Sequence, residues 1–251
     1  MASDEAMSGE VLTGTSGKVF TALASRSPAT RSLPNVASPV AVSDRAAKAL
    51  SSKTFHVDRL LSGDVLTAAR EAAASLAHEH GQAAAVGDDD ESKVDTSVWS
   101  SDALNLLNRE LRAPGLAPLY RVIDELRVEL ARATGRTLTE DVELNLLCYH
   151  PGGHYVRHFD DVPSDAVDGG RRLRRSISIL IYLTPQNWKE VDGGYLRIYP
   201  PAARPYADVP PTGGSCIIFD SALVPHEAMP TRRERLVVAG WLHERAAQSH
   251  S

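Results

Sequence analysis

The chain has 251 residues, 43% of them hydrophobic and 24% charged, and its formal net charge is −5. That length suits one domain of ordinary size with a tail, or two small domains. The acidic balance lacks the basic field that nucleic-acid binders usually carry, and no apolar stretch approaches the ~20 residues that cross a bilayer. Neither nucleic acid nor a membrane is expected as a partner, and a monomer is expected.

Residues 1 to about 50 are rich in Ser, Ala, Thr and Pro without an apolar period, which predicts a disordered tail. The N-terminus shows neither a basic start nor an apolar stretch of the secretory kind. Asp4, Glu5 and Glu10 count against an organelle address. Order is expected from near Phe55. Ser62 can cap a helix with Val65, Ala69, Ala72, Ala73 and Leu76 at helical spacing, and Gly81 stops it. The stretch Gly81 to Ser97, with the acidic run Asp88 to Glu91, reads as a long loop of a length often tied to function. Leu104, Leu107 and Leu111 predict a short second helix. Leu119, Val122, Ile123, Leu126 and Leu130 predict a third, ending at Gly135.

From Asp141 the apolar period becomes two. Short strands are predicted over 143–149, 155–160, 176–183, 195–199, 215–219 and 236–242, separated by Pro, Gly and Asp clusters. The fold class expected is mainly β with flanking helices, a jelly-roll core packed against N-terminal helices. The domain would run over 55–245, with helical support at 55–135 and the jelly-roll core at 141–243. Cys148 and Cys216 each sit in an apolar run, which predicts two buried thiols rather than a disulfide and fits a reducing compartment, cytoplasm or nucleus.

His158–Phe159–Asp160 places an imidazole and a carboxylate on one face of an extended chain. His226, after the apolar run Cys216–Phe219, supplies a second imidazole. Two histidines and a carboxylate make a facial triad for iron(II), although zinc hydrolases use the same ligand types. Arg235 opens the strand that carries Val237, Ala239 and Trp241 on one face. If that face is buried, the economical partner for the guanidinium is a carboxylate ligand. If it is not, Arg235 is a solvated strand start like Arg232 and Arg233. Ser178 and Tyr182 share one face of their strand opposite an all-apolar stripe, which suits a barrel wall but equally a half-buried tyrosine.

With these residues in place, the chain resembles the prolyl 4-hydroxylase family of iron(II)/2-oxoglutarate dioxygenases, in particular the hypoxia-inducible factor-type, oxygen-sensing prolyl hydroxylases and their protist and bacterial relatives. The similarity runs from about Glu143 to Trp241. It includes Cys148–Tyr149, 153–158, 181–183 before Trp188, 193–200 and Pro225–His226–Glu227. The resemblance implies iron on His158, Asp160 and His226, 2-oxoglutarate held by Arg235 with Tyr182 and Tyr149, and O2 as second cosubstrate with L-ascorbate as a further requirement. It implies hydroxylation of a prolyl residue, at the 4-position, in a protein or peptide substrate, with possible targets extending to a lysyl residue or a free amino acid. A catalytically inactive jelly-roll binding module is the alternative from another class. Arg171, Arg172, Arg174 and Arg175 form a basic cluster that reads either as a solvated strand entry or as a peptide contact; the resemblance places Arg175 near bound peptide, and Trp241 either lines the proline pocket or fills the core. Departures from the animal oxygen sensors are expected in the Gly81–Ser97 loop, at Ala239, where a hydroxyl side chain would stand, and after Trp241, where their C-terminal helix would follow.

Overall fold

A computed structural model describes residues 34–85, 93–108, 111, 113–161, 163–168, 171–201 and 206–245. Most of the predicted tail and the acidic part of the Gly81–Ser97 loop lie outside them. Helix α1 (Pro39–Ser51) leads into strand β1 (Phe55–Arg59), helix α2 (Gly63–His80) and the two-residue strand β2 (Gln82–Ala83). Short strands β3 (Trp99–Ser100) and β4 (Asp102–Asn105) precede helix α3 (Ala117–Thr134). Then come β5 (Leu138–Tyr149), β6 (His154–His158), β7 (Pro163–Asp168), β8 (Arg171–Tyr182), β9 (Leu196–Ile198) and β10 (Ala207–Val209). Strands β11 (Ser215–Asp220), β12 (His226–Ala228) and β13 (Arg235–Arg245) complete the order.

Two predictions are corrected here. The tail was expected to reach residue 50, but α1 begins at Pro39, which supplies the fixed φ suited to a helix start. Its buried face is Val42, Ser43, Ala46 and Leu50, too rich in small residues to stand out as an apolar period. The second correction concerns Leu104. It lies in β4, whose residues Asp102–Asn105 pair antiparallel with Cys148–Asn145 of β5. Sheet pairing overrides the helical spacing of three leucines. The third predicted helix, by contrast, buries the five residues named from the sequence, and Gly135 ends it in the left-handed region at φ 71.

The strands form two antiparallel sheets. The larger runs β1-β11-β8-β13-β5-β4-β2 with β7 beside β8, and the smaller runs β10-β9-β12-β6-β3. Pleating sends alternate side chains of the large sheet to opposite cores. Val142, Leu144, Leu146 and Cys148 of β5, with Ile177, Ile179 and Ile181 of β8 and Leu236, Val238 and Leu242 of β13, pack under the helices. Leu147, Tyr149, Leu180, Tyr182, Val237, Ala239 and Trp241 face the small sheet, as the period-two pattern predicted. Each full burial of a Leu or Ile is worth about 1.5–3 kcal/mol, so the helical layer is a structural necessity for this sheet rather than an appendage. Among the described residues, no helix is long and apolar enough to cross a membrane.

The N-terminal layer is fastened at Gly214, whose carbonyl accepts from the backbone N–H of both Leu60 and Leu61. Gly214 has φ 84, and a Cβ there would run into the Leu61 carbonyl oxygen. Gly152 also has a positive φ, 90, but nothing lies within 4 Å of where its Cβ would be. Gly214→Ala should therefore cost about 3 kcal/mol or more of unfolding free energy and Gly152→Ala about 1 kcal/mol. Urea denaturation of the two variants checks this, and equal losses would contradict the fastening role.

Candidate functional site

The small sheet presents the triad. His226 on β12 pairs in register with His158 at the end of β6, and the two rings lie 4.3 Å apart. Asp160 follows two residues after His158, its backbone N–H donating to Ser221 O at 3.1 Å. One donor atom from each of His158, Asp160 and His226 lies within 4.8 Å of the others. Both imidazoles direct Nδ1 at a backbone carbonyl: His158 at Val156 O, 2.7 Å away, and His226 at Val224 O, 3.3 Å away. Those contacts fix a tautomer with Nε2 free, and Nε2 of the two rings stands 3.5 and 3.8 Å from the Asp160 carboxylate. This is the donor arrangement a divalent metal requires.

The surroundings hold the ligands in their working states. Burial disfavours charge on Asp160, but His226 and His158 outweigh it, with Arg175 adding to them, and the carboxyl is held far below its usual range. Ser178 Oγ donates to Asp160 Oδ2 at 2.7 Å and lies 2.9 Å from Ser221 Oγ. Burial pulls His226 down to about 4, with His158 acting in the same direction, so its ring is neutral at physiological pH. Tyr155 stacks on His158 at 3.7 Å, and Trp99 stacks on Tyr155 at 4.6 Å.

Arg235 is buried, at 1% exposure, which decides between its two sequence readings. Its guanidinium lies 3.9 Å over the Tyr149 ring, and Nη1 donates to Gly194 O at 2.6 Å. Its Nε has no hydrogen-bond partner among the described residues. Tyr182 is buried on the same core, its hydroxyl pushed up to about 12 by burial against the opposing effect of Arg235. A buried cation ringed by phenols, with an orphan donor, is a seat for an anion.

Residues 144–243 match the family model described as the 2OG-Fe(II) oxygenase superfamily. The match covers the jelly-roll part of this chain and is a likeness to that family. The hypoxia-inducible factor prolyl hydroxylase of Caenorhabditis elegans is 31% identical over 105 residues, 40% of this chain and 13% of that protein. Prolyl hydroxylase EGLN3 of Homo sapiens is 29% identical over 127 residues, 49% of each chain. The chain thus spans at most about half the length of these curated relatives. A prolyl hydroxylase from Trichoplax adhaerens, solved with a hypoxia inducible factor oxygen degradation domain peptide fragment, superposes with a TM-score of 0.69 at 19% identity, covering 81% of this chain and 90% of that one. The Pseudomonas putida prolyl-4-hydroxylase gives 0.66 at 23% identity, covering 81% and 100%. At these identities the structural likeness establishes the jelly-roll fold.

Within the matched segment the predicted basic cluster divides. Arg172 and Arg174 are exposed, Arg174 lying 3.6 Å from Glu244, while the Arg171 side chain is outside the described residues. Arg175 turns inward, its guanidinium 3.8 Å over the Trp241 ring and its Nε donating to Glu143 at 2.6 Å. The fully buried His243 stands 3.6 Å from the same carboxylate. Glu143, His243, Ser178 and Ser221 were not singled out as site residues from the sequence. Ser178 was visible as part of a polar stripe, and Glu143 shares the parity of Tyr149 on β5, but their partners arrive only through β8 and β13.

Burial opposes charge on Glu143, yet His243 and Arg175 bring it from 4.5 down to about 2. A lowered carboxyl contributes stability that is fully present above pH 4.5 and lost as pH falls toward 2. Wild-type protein should lose on the order of 3 kcal/mol from this group across that window. Glu143→Gln should be destabilised by a similar amount at pH 7 and show a flatter pH dependence between 4.5 and 2. Chemical denaturation at a series of pH values measures both, and an unchanged acid profile would reject the network.

Proposed function

We propose that this chain is an iron(II)- and 2-oxoglutarate-dependent dioxygenase that hydroxylates a prolyl residue, at the 4-position, in a protein substrate. The observation that carries the reading is the pairing of a preset His158–Asp160–His226 donor set with a buried Arg235 on the facing sheet that meets no carboxylate among the described residues. His158 and His226 would offer Nε2 and Asp160 a carboxylate oxygen. The mixed imidazole and carboxylate set suits iron(II). Arg235 would clasp the distal carboxylate of 2-oxoglutarate, with Tyr149 stacked on the guanidinium and the Tyr182 hydroxyl beside it. When bound, iron with O2 and 2-oxoglutarate supplies C–H hydroxylation, releasing succinate and CO2.

The chain's own part is orientation and exclusion of water. The Nδ1 contacts of both histidines and the Ser178 hydroxyl hold the donors still. Arg175, fixed by Glu143, lies over Trp241 on the same inner face as the Arg235 guanidinium. The Phe159 ring, between two ligands, is 50% exposed and offers an apolar surface at the rim to an incoming chain segment. The prolyl assignment rests on the names of the relatives and on the peptide complex of the Trichoplax adhaerens protein. Two buried free thiols accord with action in a reducing compartment, the cytoplasm or nucleus.

Anaerobic addition of iron(II) and 2-oxoglutarate should produce the visible charge-transfer absorption of the metal–oxoacid chelate. His158→Ala and Asp160→Ala should abolish it. Arg235→Gln should retain iron but weaken 2-oxoglutarate binding by about 30-fold or more, the equivalent of at least ~2 kcal/mol for a lost buried charge partner. Mass spectrometry of proline-containing peptides after turnover should show gain of one oxygen atom on proline. Coupled turnover on free amino acids or lysyl peptides, with none on prolyl peptides, would reassign the substrate.

A further inference from the structure

We propose a second metal site on the outer face of the barrel, formed by Cys148, His150 and Glu234 and suited to zinc(II). The strand register creates it. Tyr149 pairs with Arg235, so the next positions outward, His150 and Glu234, face each other where β5 ends and β13 begins. Cys148 and His150 are two residues apart on an extended chain and leave the same face. Asp102 of β4 pairs with Cys148 from the other side. One donor atom from each of Cys148, His150 and Glu234 lies within 4.8 Å of the others.

The imidazole is already oriented for a metal. Its Nε2 is 2.9 Å from Asp102 Oδ2, while Nδ1 faces Glu234 Oε2 at 4.0 Å. A carboxylate on one ring nitrogen, with the other nitrogen toward the donor cluster, is the outer-shell arrangement that positions histidine ligands and raises their basicity. The His150 carbonyl accepts from Gly153 N–H at 2.7 Å, which holds the backbone of the turn. A Cβ at position 153 would approach that carbonyl and Ser100 O at 2.8 Å, so glycine is required for the turn to close.

Thiolate, imidazole and carboxylate together select a borderline-soft cation, and zinc bonds of ~2.0–2.3 Å place donors about 3.5 Å apart in a tetrahedron. The exposed Glu234 carboxylate can close the remaining ångström or so toward the Asp102-held imidazole, with water as the fourth ligand. Binding displaces the Cys148 thiol proton into solvent. The site is separate from the His158–Asp160–His226 donors: Cys148 points to the helix-side core and Tyr149 to the other.

Cobalt(II) distinguishes the two sites, because only a sulfur ligand gives a near-ultraviolet thiolate-to-cobalt charge-transfer band. The full chain titrated with cobalt(II) should develop that band, its final intensity matching one thiolate-bound cobalt per chain with no more than two equivalents bound in all, and zinc(II) should bleach it. Cys148→Ser should remove the band. His150→Gln, Glu234→Gln and Asp102→Asn should each weaken cobalt binding tenfold or more, with the thermal transition of the metal-free protein unchanged for the exposed His150 and Glu234 variants. No band at saturating cobalt in wild type, a band that persists in Cys148→Ser, or unaltered affinity in both His150→Gln and Glu234→Gln would overturn the proposal.

Discussion

Strand β13 lies hydrogen-bonded between β5 and β8 along most of its length, and the pleat of these three strands sorts their side chains into two cores. Every chemical feature of the molecule depends on that sorting. A shift of one residue in register would exchange the faces, sending Arg235 toward the helices and Leu236 toward the ligand seat. The apolar row beneath the helices, Ile177, Ile179, Ile181, Leu236 and Val238, forbids such a slip. The helical layer thus sets the orientation of residues it never touches.

The inner face spends stability on polarity. Taking the Arg235 guanidinium out of water costs several kcal/mol after relaxation. A charge-assisted bond to Gly194 O returns about 1.5–3 kcal/mol and stacking on Tyr149 about 2. The Nε stays unpartnered, so the balance improves when an anion arrives. Asp160 is in the opposite position: its carboxyl is held well below its usual range, and the Ser178 hydroxyl already donates to it. The His158–Asp160–His226 donors are thus oriented in advance, while Arg235 keeps an unpartnered donor among the described residues.

Much of this was legible in the sequence because it is periodic or locally spaced. The i, i+2 placement of His158 and Asp160, the alternating strands after Asp141 and the apolar stripe of α3 are all properties of short windows. Arg235 was legible as a residue but not as a buried one, since burial depends on whether its strand is central. What escaped detection was built from small residues or from pairing. The stripe of α1 is Val42, Ala46 and Leu50 around a serine, weak by composition. Leu104 fell into a helical spacing by accident and was claimed by β5. The two- and three-residue strands β3, β10 and β12 carry too few residues for any period. Cys148, His150 and Glu234 come together only when β5 meets β13.

The pairing of β1 with β11, in which Phe55 lies opposite Phe219, has a consequence for how the molecule reaches this state. The edge strand that follows α1 finds its in-sheet neighbour near the far end of the chain, and β5 likewise waits for β13. Contacts this distant in sequence raise the contact order and slow the search. On the ribosome, the N-terminal helices emerge long before the sheet they cover, with their apolar faces unmatched until β11 and β13 are made. His158, Asp160 and His226 on the small sheet face Arg235 on the large one, so these side chains meet only where both sheets are formed.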